Sequence, residues 1–331
     1  MGTSTRDIGI DFLRAASILY IVGYWHLIPY TEALPGYANL YTEALKYITL
    51  ATFVFCSGFL LARQPVSLGL ADLRSFYSRR LLRIYPLYLL ALVLFLVAAI
   101  APAAQLLDGA LLISMFQPPP LPTLWFITMI MLFYVAAPLL IRTADQGAWS
   151  LVPAIGVFGA MVAAHQWLHP IDLRLLLYWP IFVIAILYQR QPQLRGWLEQ
   201  RRMLLLLLLI PALIVCRGFN EWSMIGVARA FPIALIGTLV LFIYAPVIAR
   251  PLHAGSVTFL AYTGFGLYLF HRVVFKAAIG LYFPAEGWNQ LLYLLFLVLP
   301  LTLLIAYLIQ SGYDRGLKAW ERRRGADRRA S

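Results

Sequence analysis

Several ionisable side chains lie inside apolar runs of this sequence. The first run reads Asp11-Phe-Leu-Arg14, then apolar residues, then Gly23-Tyr24-Trp25-His26. Lipid solvates such groups poorly, so each marks a functional position by default. Histidine titrates near neutrality and can take a proton from an attacking hydroxyl. Arg14 and His26 are about 18 Å apart along an ideal helix. A second reading of Tyr24, Trp25 and His26 stays open, namely part of an aromatic belt at the membrane interface. Asp11 and Arg14 also have the spacing of a helical ion pair.

A second group is Arg79-Arg80-Leu-Leu-Arg83-Ile-Tyr85-Pro86. Arg80 and Arg83 share a helix face. Guanidinium groups grip phosphates through paired hydrogen bonds, and a helix N-terminus adds its own attraction for anions. The cluster therefore suits a phosphate-rich ligand. Arginines at a cytoplasmic membrane edge are equally what topology alone requires.

The remaining marks are weaker. Ser57-Gly58 allows close helix packing. Trp125, Phe133 and Tyr134 read more readily as core than as ligand contacts. His271, Arg272 and Lys276 are unusual for a span and fit either the cavity of His26 or an interface. His165, His169 and His253 fall at span ends and read as solvated. No glycine-rich nucleotide loop, zinc spacing or Gly-x-Ser-x-Gly elbow occurs. Cys56 and Cys216 form no metal or redox motif.

The elements that must hold these residues follow from composition. The chain has 331 residues, 62% of them hydrophobic and only 12% charged. Its mean hydropathy is +0.80. A soluble domain is about half apolar and about a quarter charged. Runs of about twenty apolar residues recur throughout and do not alternate, so they predict membrane-spanning helices rather than a strand barrel. The expected fold is all-α and polytopic, with ten spans near 9–29, 44–62, 82–101, 121–141, 150–165, 173–189, 203–216, 230–249, 256–281 and 288–311. The fifth and seventh are short. The stretch 102–120 predicts a short helix and a stiff turn ending in Pro118-Pro119-Pro120. The first run has charges at its start and no small-residue cleavage site, so it is expected to remain as a helix rather than act as a signal peptide.

The net charge of +12 reads as topology and not as nucleic-acid binding. Arginines crowd one alternating set of loops, from Arg6 through Arg63, Arg74 and Arg79 to Arg250 and the tail. The opposite set holds only Lys46, Arg174, Arg217 and Arg229. Both termini are therefore expected in the cytoplasm. There is no internal repeat. The division expected is a membrane domain over 1–313 and a basic tail over 314–331.

Taken in order, these pieces resemble the acyltransferase-3 family of membrane O-acyltransferases. Asp11-Phe12-Leu13-Arg14-Ala15-Ala16 with His26 is similar to its first helix. Phe53 to Leu60 resembles its "FxxSGFL" signature, and Arg79 to Pro86 its "RRxxRIxP" segment. Leu124-Trp125 with Phe133-Tyr134 and Pro138 resembles its fourth helix, and Gly266 to His271 its late "YLxH" segment. The resemblance implies a bacterial inner-membrane enzyme. Such an enzyme moves an acyl group, acetyl above all, from cytoplasmic acyl-CoA to a hydroxyl of a carbohydrate or glycolipid, with no metal. It implies His26 as the catalytic residue and Arg80, Arg83, Arg79 and Arg14 as donor-binding residues. His271, Trp125 and Tyr134 are the expected substrate contacts.

Two departures from the family pattern matter. The family usually has ten residues between the first-helix arginine and histidine, and here there are eleven. On an ideal helix that turns the two side chains roughly 120° apart. A π-bulge near Gly23 that restores their alignment is therefore expected. Many members also carry a glutamate where this chain has Ile130. Two other readings remain at this point, an exporter of acylated or polymerised sugars and a non-catalytic scaffold. The missing repeat weakens the first. The co-occurrence of the arginine and histidine pieces weakens the second.

Overall fold

The computed structural model describes residues 7–168, 170–218 and 223–330, and no strand occurs among them. His169 lies outside the described residues. In chain order the α-helices are α1 (Ile8–Tyr20), α2 (Leu40–Leu61), α3 (Leu70–Val97), α4 (Ala103–Ala110), α5 (Trp125–Thr143), α6 (Val152–Ala163) and α7 (Arg174–Arg190). Then follow α8 (Pro192–Gln200), α9 (Arg202–Val215), α10 (Met224–Ile248), α11 (Ala254–Leu281), α12 (Gly287–Tyr293) and α13 (Leu299–Ala330). Tighter or wider turns extend α1, α6 and α13, so that continuous helical segments cover Ile8–Tyr30, Trp149–Trp167 and Gly287–Arg323.

Eight helical segments among the described residues are long and apolar enough to cross a membrane. The expected sixth and seventh spans are α7 and α9, of 17 and 14 residues. At about 1.5 Å per residue these reach about 26 and 21 Å, short of a hydrocarbon core of about 30 Å. Thirteen residues of α7 are buried, so protein rather than lipid surrounds it. Such an enclosed helix need not match the bilayer thickness. The expected fifth span gains length from turns at both ends and reaches 19 residues.

Polar side chains set the helix starts. Asp7 caps α1, accepting from the N–H groups of Gly9 and Ile10, and pairs with Arg63 after the end of α2 at 3.1 Å. Asn39 and Thr42 form a reciprocal capping box on α2. Ser223 caps α10 and His253 caps α11. Prolines lie inside α3, α5, α7, α9 and α10. Membrane helices tolerate them because neighbouring groups satisfy the freed carbonyls.

Small residues bring the central helices together. A Cβ on Gly58 of α2 would lie 2.7 Å from the Phe182 carbonyl of α7. A Cβ on Gly266 of α11 would lie 3.0 Å from the Ala306 carbonyl of α13, and the Gly266 N–H donates to Gln310 at 3.1 Å. The outer faces are apolar and exposed, as at Val93 and Val97 of α3, Leu207 and Ile214 of α9, and Leu304 of α13. With lipid as the solvent, that surface needs no further cover.

Candidate functional site: two chambers along the first helix

The end of α1 departs from α-helical geometry. Residues Ile21–Trp25 form a π-helical turn, and the His26 N–H donates to the Ile21 carbonyl five residues back at 2.8 Å. The turn absorbs one extra residue at the place where the eleven-residue spacing calls for it. Gly23 lies at its centre. As a result Arg14 and His26 both face cavities inside the bundle, Arg14 in one chamber and His26 in another.

The arginine chamber has a volume of about 720 Å³. Arg14 enters it from α1, and Arg79, Arg80 and Arg83 enter from α3. Asp11 and Asp314 are the carboxylates on its wall, and Asp314 accepts from Tyr262 at 2.6 Å. Arg14 is within electrostatic range of Asp11, Arg83 and Tyr134. Arg80 stacks on Phe76 at 3.5 Å and donates to the Phe76 carbonyl at 2.8 Å, while its Nε is enclosed without a partner among the described residues. An enclosed, unpaired guanidinium nitrogen is costly, which fits an anionic ligand. Arg79 also borders a neighbouring cavity shared with Arg142 and Arg190, where Arg190 pairs with Asp145.

Tyrosines fix α3 in this position. Tyr77 donates to the Val135 carbonyl of α5 at 2.7 Å, and Tyr85 to the Ala110 carbonyl of α4 at 2.6 Å. Tyr313 of α13 donates to the Leu82 carbonyl, one residue before Arg83. Ser57 and Tyr134 also line the chamber. Ile130, the position where many relatives carry glutamate, lines it too and lies away from His26.

The histidine chamber has a volume of about 490 Å³. It is lined by Trp25, His26, Pro29, Tyr30 and Tyr37, by Pro119 to Thr123, and by Trp125, Arg174 and Arg272. The His26 Nδ1 is enclosed without a partner among the described residues, leaving Nε2 as the nitrogen that meets the chamber. Its ring lies against that of His271, with centroids 4.9 Å apart and planes 3° from parallel. His271 is fully enclosed and lines neither chamber. A carbonyl can only accept, so the 2.8 Å contact with the Tyr268 carbonyl assigns the proton to His271 Nδ1.

Of the expected substrate contacts, Trp125 thus lines the histidine chamber and Tyr134 the arginine chamber, while His271 reaches the former only through His26. Phe133 belongs to the core, packed between Trp179 and Phe182. Arg272 joins His26, whereas Lys276 is exposed and donates to the Ala99 carbonyl at 3.0 Å. His165 is half-buried, with Nδ1 3.2 Å from both backbone groups of Ile171. Both cysteines are buried and free. Among the described residues no cluster of three or more His, Cys, Asp or Glu is placed to hold a metal.

A thin partition separates the chambers. Tyr268 and Phe126 face the arginine chamber, while Thr123 and Trp125 face the histidine chamber. The Tyr268 hydroxyl donates to the Thr123 carbonyl across this boundary. Tyr268 is also next to both Phe126 and His271, at 5.9 and 6.1 Å between ring centroids.

Arg174, read from sequence only as a loop cation, is a second finding. It is buried, forms a two-pronged pair with Asp172, and lies 3.9 Å over the Trp125 ring. The Asp172-x-Arg174 spacing at the start of α7 was the available signal.

Residues 7–310 match the family model described as an acyltransferase domain, the acyltransferase-3 family. Neither a curated protein nor a solved structure matches the chain.

Proposed function

The chain belongs to the acyltransferase-3 family and is a membrane acyltransferase, and from that premise we propose that it carries an acyl group from acyl-CoA to a hydroxyl of a carbohydrate or glycolipid. Acetyl is the acyl group we favour. The observation that carries this reading is the arrangement along one helix. Four arginines converge in one chamber, and His26 opens into the next.

In this account Arg80, Arg83, Arg79 and Arg14 hold the phosphates of the donor. Guanidinium–phosphate pairs are charge-assisted and directional, which suits a ligand with several phosphate groups. The acyl end of the donor passes the Tyr268 partition, and Tyr134 lines its path. The acceptor hydroxyl lies in the histidine chamber beside Trp125. His26 Nε2 takes the hydroxyl proton as the oxygen attacks the thioester carbonyl. The carbon–sulfur bond then breaks, the ester is formed, and the thiolate recovers the proton from His26. One acyl-CoA and one alcohol give one ester and one free thiol.

His271 acts through His26 as a positioning residue. Its ring backs the His26 ring, and its own orientation is fixed by the Tyr268 carbonyl. The bias of arginine and lysine among the loops supports an orientation in which the arginine chamber and both termini face the cytoplasm of a bacterial inner membrane. Donor and acceptor would then enter from opposite sides.

The test is reconstitution in sealed vesicles with acetyl-CoA on one side and membrane glycan on the other. Thiol release on the donor side, matched by ester formation on the glycan, is the expected result. Glycan movement without thiol release would replace this reading by the exporter.

A further inference from the structure

The histidine chamber carries a charge that neither the fold nor the proposed chemistry uses. Among the described residues its lining includes two guanidinium groups and no carboxylate. Arg174 is neutralised by Asp172, both oxygens of which it engages. Arg272 is different. Among the described residues it forms no ion pair, and its enclosed Nε has no hydrogen-bond partner. It is half-buried and within electrostatic range of His26, His271 and Tyr268.

An enclosed guanidinium nitrogen with no acceptor is left without the hydrogen bond that water would give it, which costs stability. Structural arginines usually reduce that cost with a carboxylate, as Arg174 does. Arg272 also lies on α11 directly after His271, so its backbone position is tied to the ring that backs His26. The chamber is also lined by the aromatic side chains of Trp25, Tyr30, Tyr37 and Trp125. Aromatic side chains with one unpaired cation form a site for a ring-shaped, hydroxylated molecule bearing one negative group.

We infer that Arg272 binds a carboxylate or phosphate ester on the acceptor, so that the acceptor is an anionic sugar. This rests on the acyl-transfer reading for the word acceptor, but the anion site itself does not. A guanidinium fork engages either anion through two parallel hydrogen bonds, which would fix the sugar ring relative to His26 Nε2. The anion needs no part in the bond making. Its contribution is register, deciding which hydroxyl meets the imidazole.

The test is equilibrium binding of radiolabelled glucose, glucuronate and glucose 6-phosphate to the full-length protein in detergent. Wild type is expected to bind at least one of the two anionic sugars about tenfold more tightly than glucose. The better of the two identifies the anion as carboxylate or phosphate. Arg272→Gln is expected to remove the preference and leave glucose affinity unchanged, and Arg272→Lys to retain part of it. Equal affinities in wild type, no binding of any of the three, or a preference that survives Arg272→Gln would overturn the inference. CoA release separates the two levels of the account. Anion preference without CoA release from any acyl-CoA would leave the site standing and remove the acyl-transfer reading. A loss of turnover in Arg272→Gln that is equal for charged and neutral acceptors, with anionic-sugar binding intact, would assign Arg272 to the reacting carbonyl and overturn the anion site.

Discussion

The imidazole of His26 lies flat against that of His271, with centroids 4.9 Å apart and planes 3° from parallel. His26 is at the end of the first long helix, and His271 is deep in α11. The contact holds the His26 ring from behind while its Nε2 remains open to the chamber. If His271 works by support, its ring shape matters more than its nitrogen. His271→Phe should therefore keep most of the turnover. His271→Ala should lower kcat on the order of tenfold, about 1.4 kcal/mol of barrier, with donor KM unchanged. Steady-state thiol release checks both. A Phe variant as slow as the Ala variant would instead make the His271 nitrogen part of the proton path.

The arginine chamber should govern donor affinity. Removing one charge-assisted contact costs about 1.5–3 kcal/mol, roughly 10–150-fold in affinity. Arg83→Ala and Arg80→Ala are each expected to raise donor KM within that range. Lysine at either position should recover only part of it, because an ammonium lacks the planar fork. Direct binding of acetyl-CoA by calorimetry is the check.

The π-helical turn makes an unusual prediction about a deletion. Ile21–Trp25 hold one residue more than a regular helix would, and this keeps His26 facing the chamber. Deleting Gly23 should convert the turn to α-helix without rotating His26, so thiol release should persist. Inserting one alanine after Ile18 should turn His26 by about 100° and abolish it. Comparing the two variants at equal expression and equal Tm reads the effect of register alone.

Packing between α2 and α7 should be intolerant at one position. A side chain at Gly58 would meet the Phe182 carbonyl at 2.7 Å, whereas nothing lies within 4 Å of a Cβ at Gly156. Gly58→Val should destabilise the protein by about 1–3 kcal/mol, and Gly156→Ala should change stability by no more than about 0.5 kcal/mol. Thermal unfolding in detergent distinguishes them.

Much of this architecture was legible because lipid imposes simple rules. Long apolar runs became helices, and Ser57-Gly58 became a close contact. The π-turn was legible for a different reason. The spacing from Arg14 to His26 was one residue too long for two inward-facing side chains, and a single wide turn resolves that conflict. The short α7 was less legible. Hydropathy records apolar character and does not say whether lipid or protein surrounds it.

The site was legible in part. Arg14 of α1 and Arg80 and Arg83 of α3 line one chamber, and the motif order pointed to it. The stack of His26 on His271 requires α1 to pack on α11, which no local pattern encodes. Arg272 and Lys276, four residues apart on α11, end in a chamber and at an exposed carbonyl contact. The pairing of Asp172 with Arg174 was hidden because a loop charge beside a span reads first as topology.

The central claim is that His26 is the base of an acyl transfer. The most direct measurement is acceptor-dependent CoA release from acetyl-CoA by the purified protein with membrane glycan, wild type beside His26→Ala. The account predicts a loss of about 10²–10⁴-fold in the variant, with acetyl-CoA binding retained because the arginine chamber is untouched. Release by His26→Ala at the wild-type rate would contradict it.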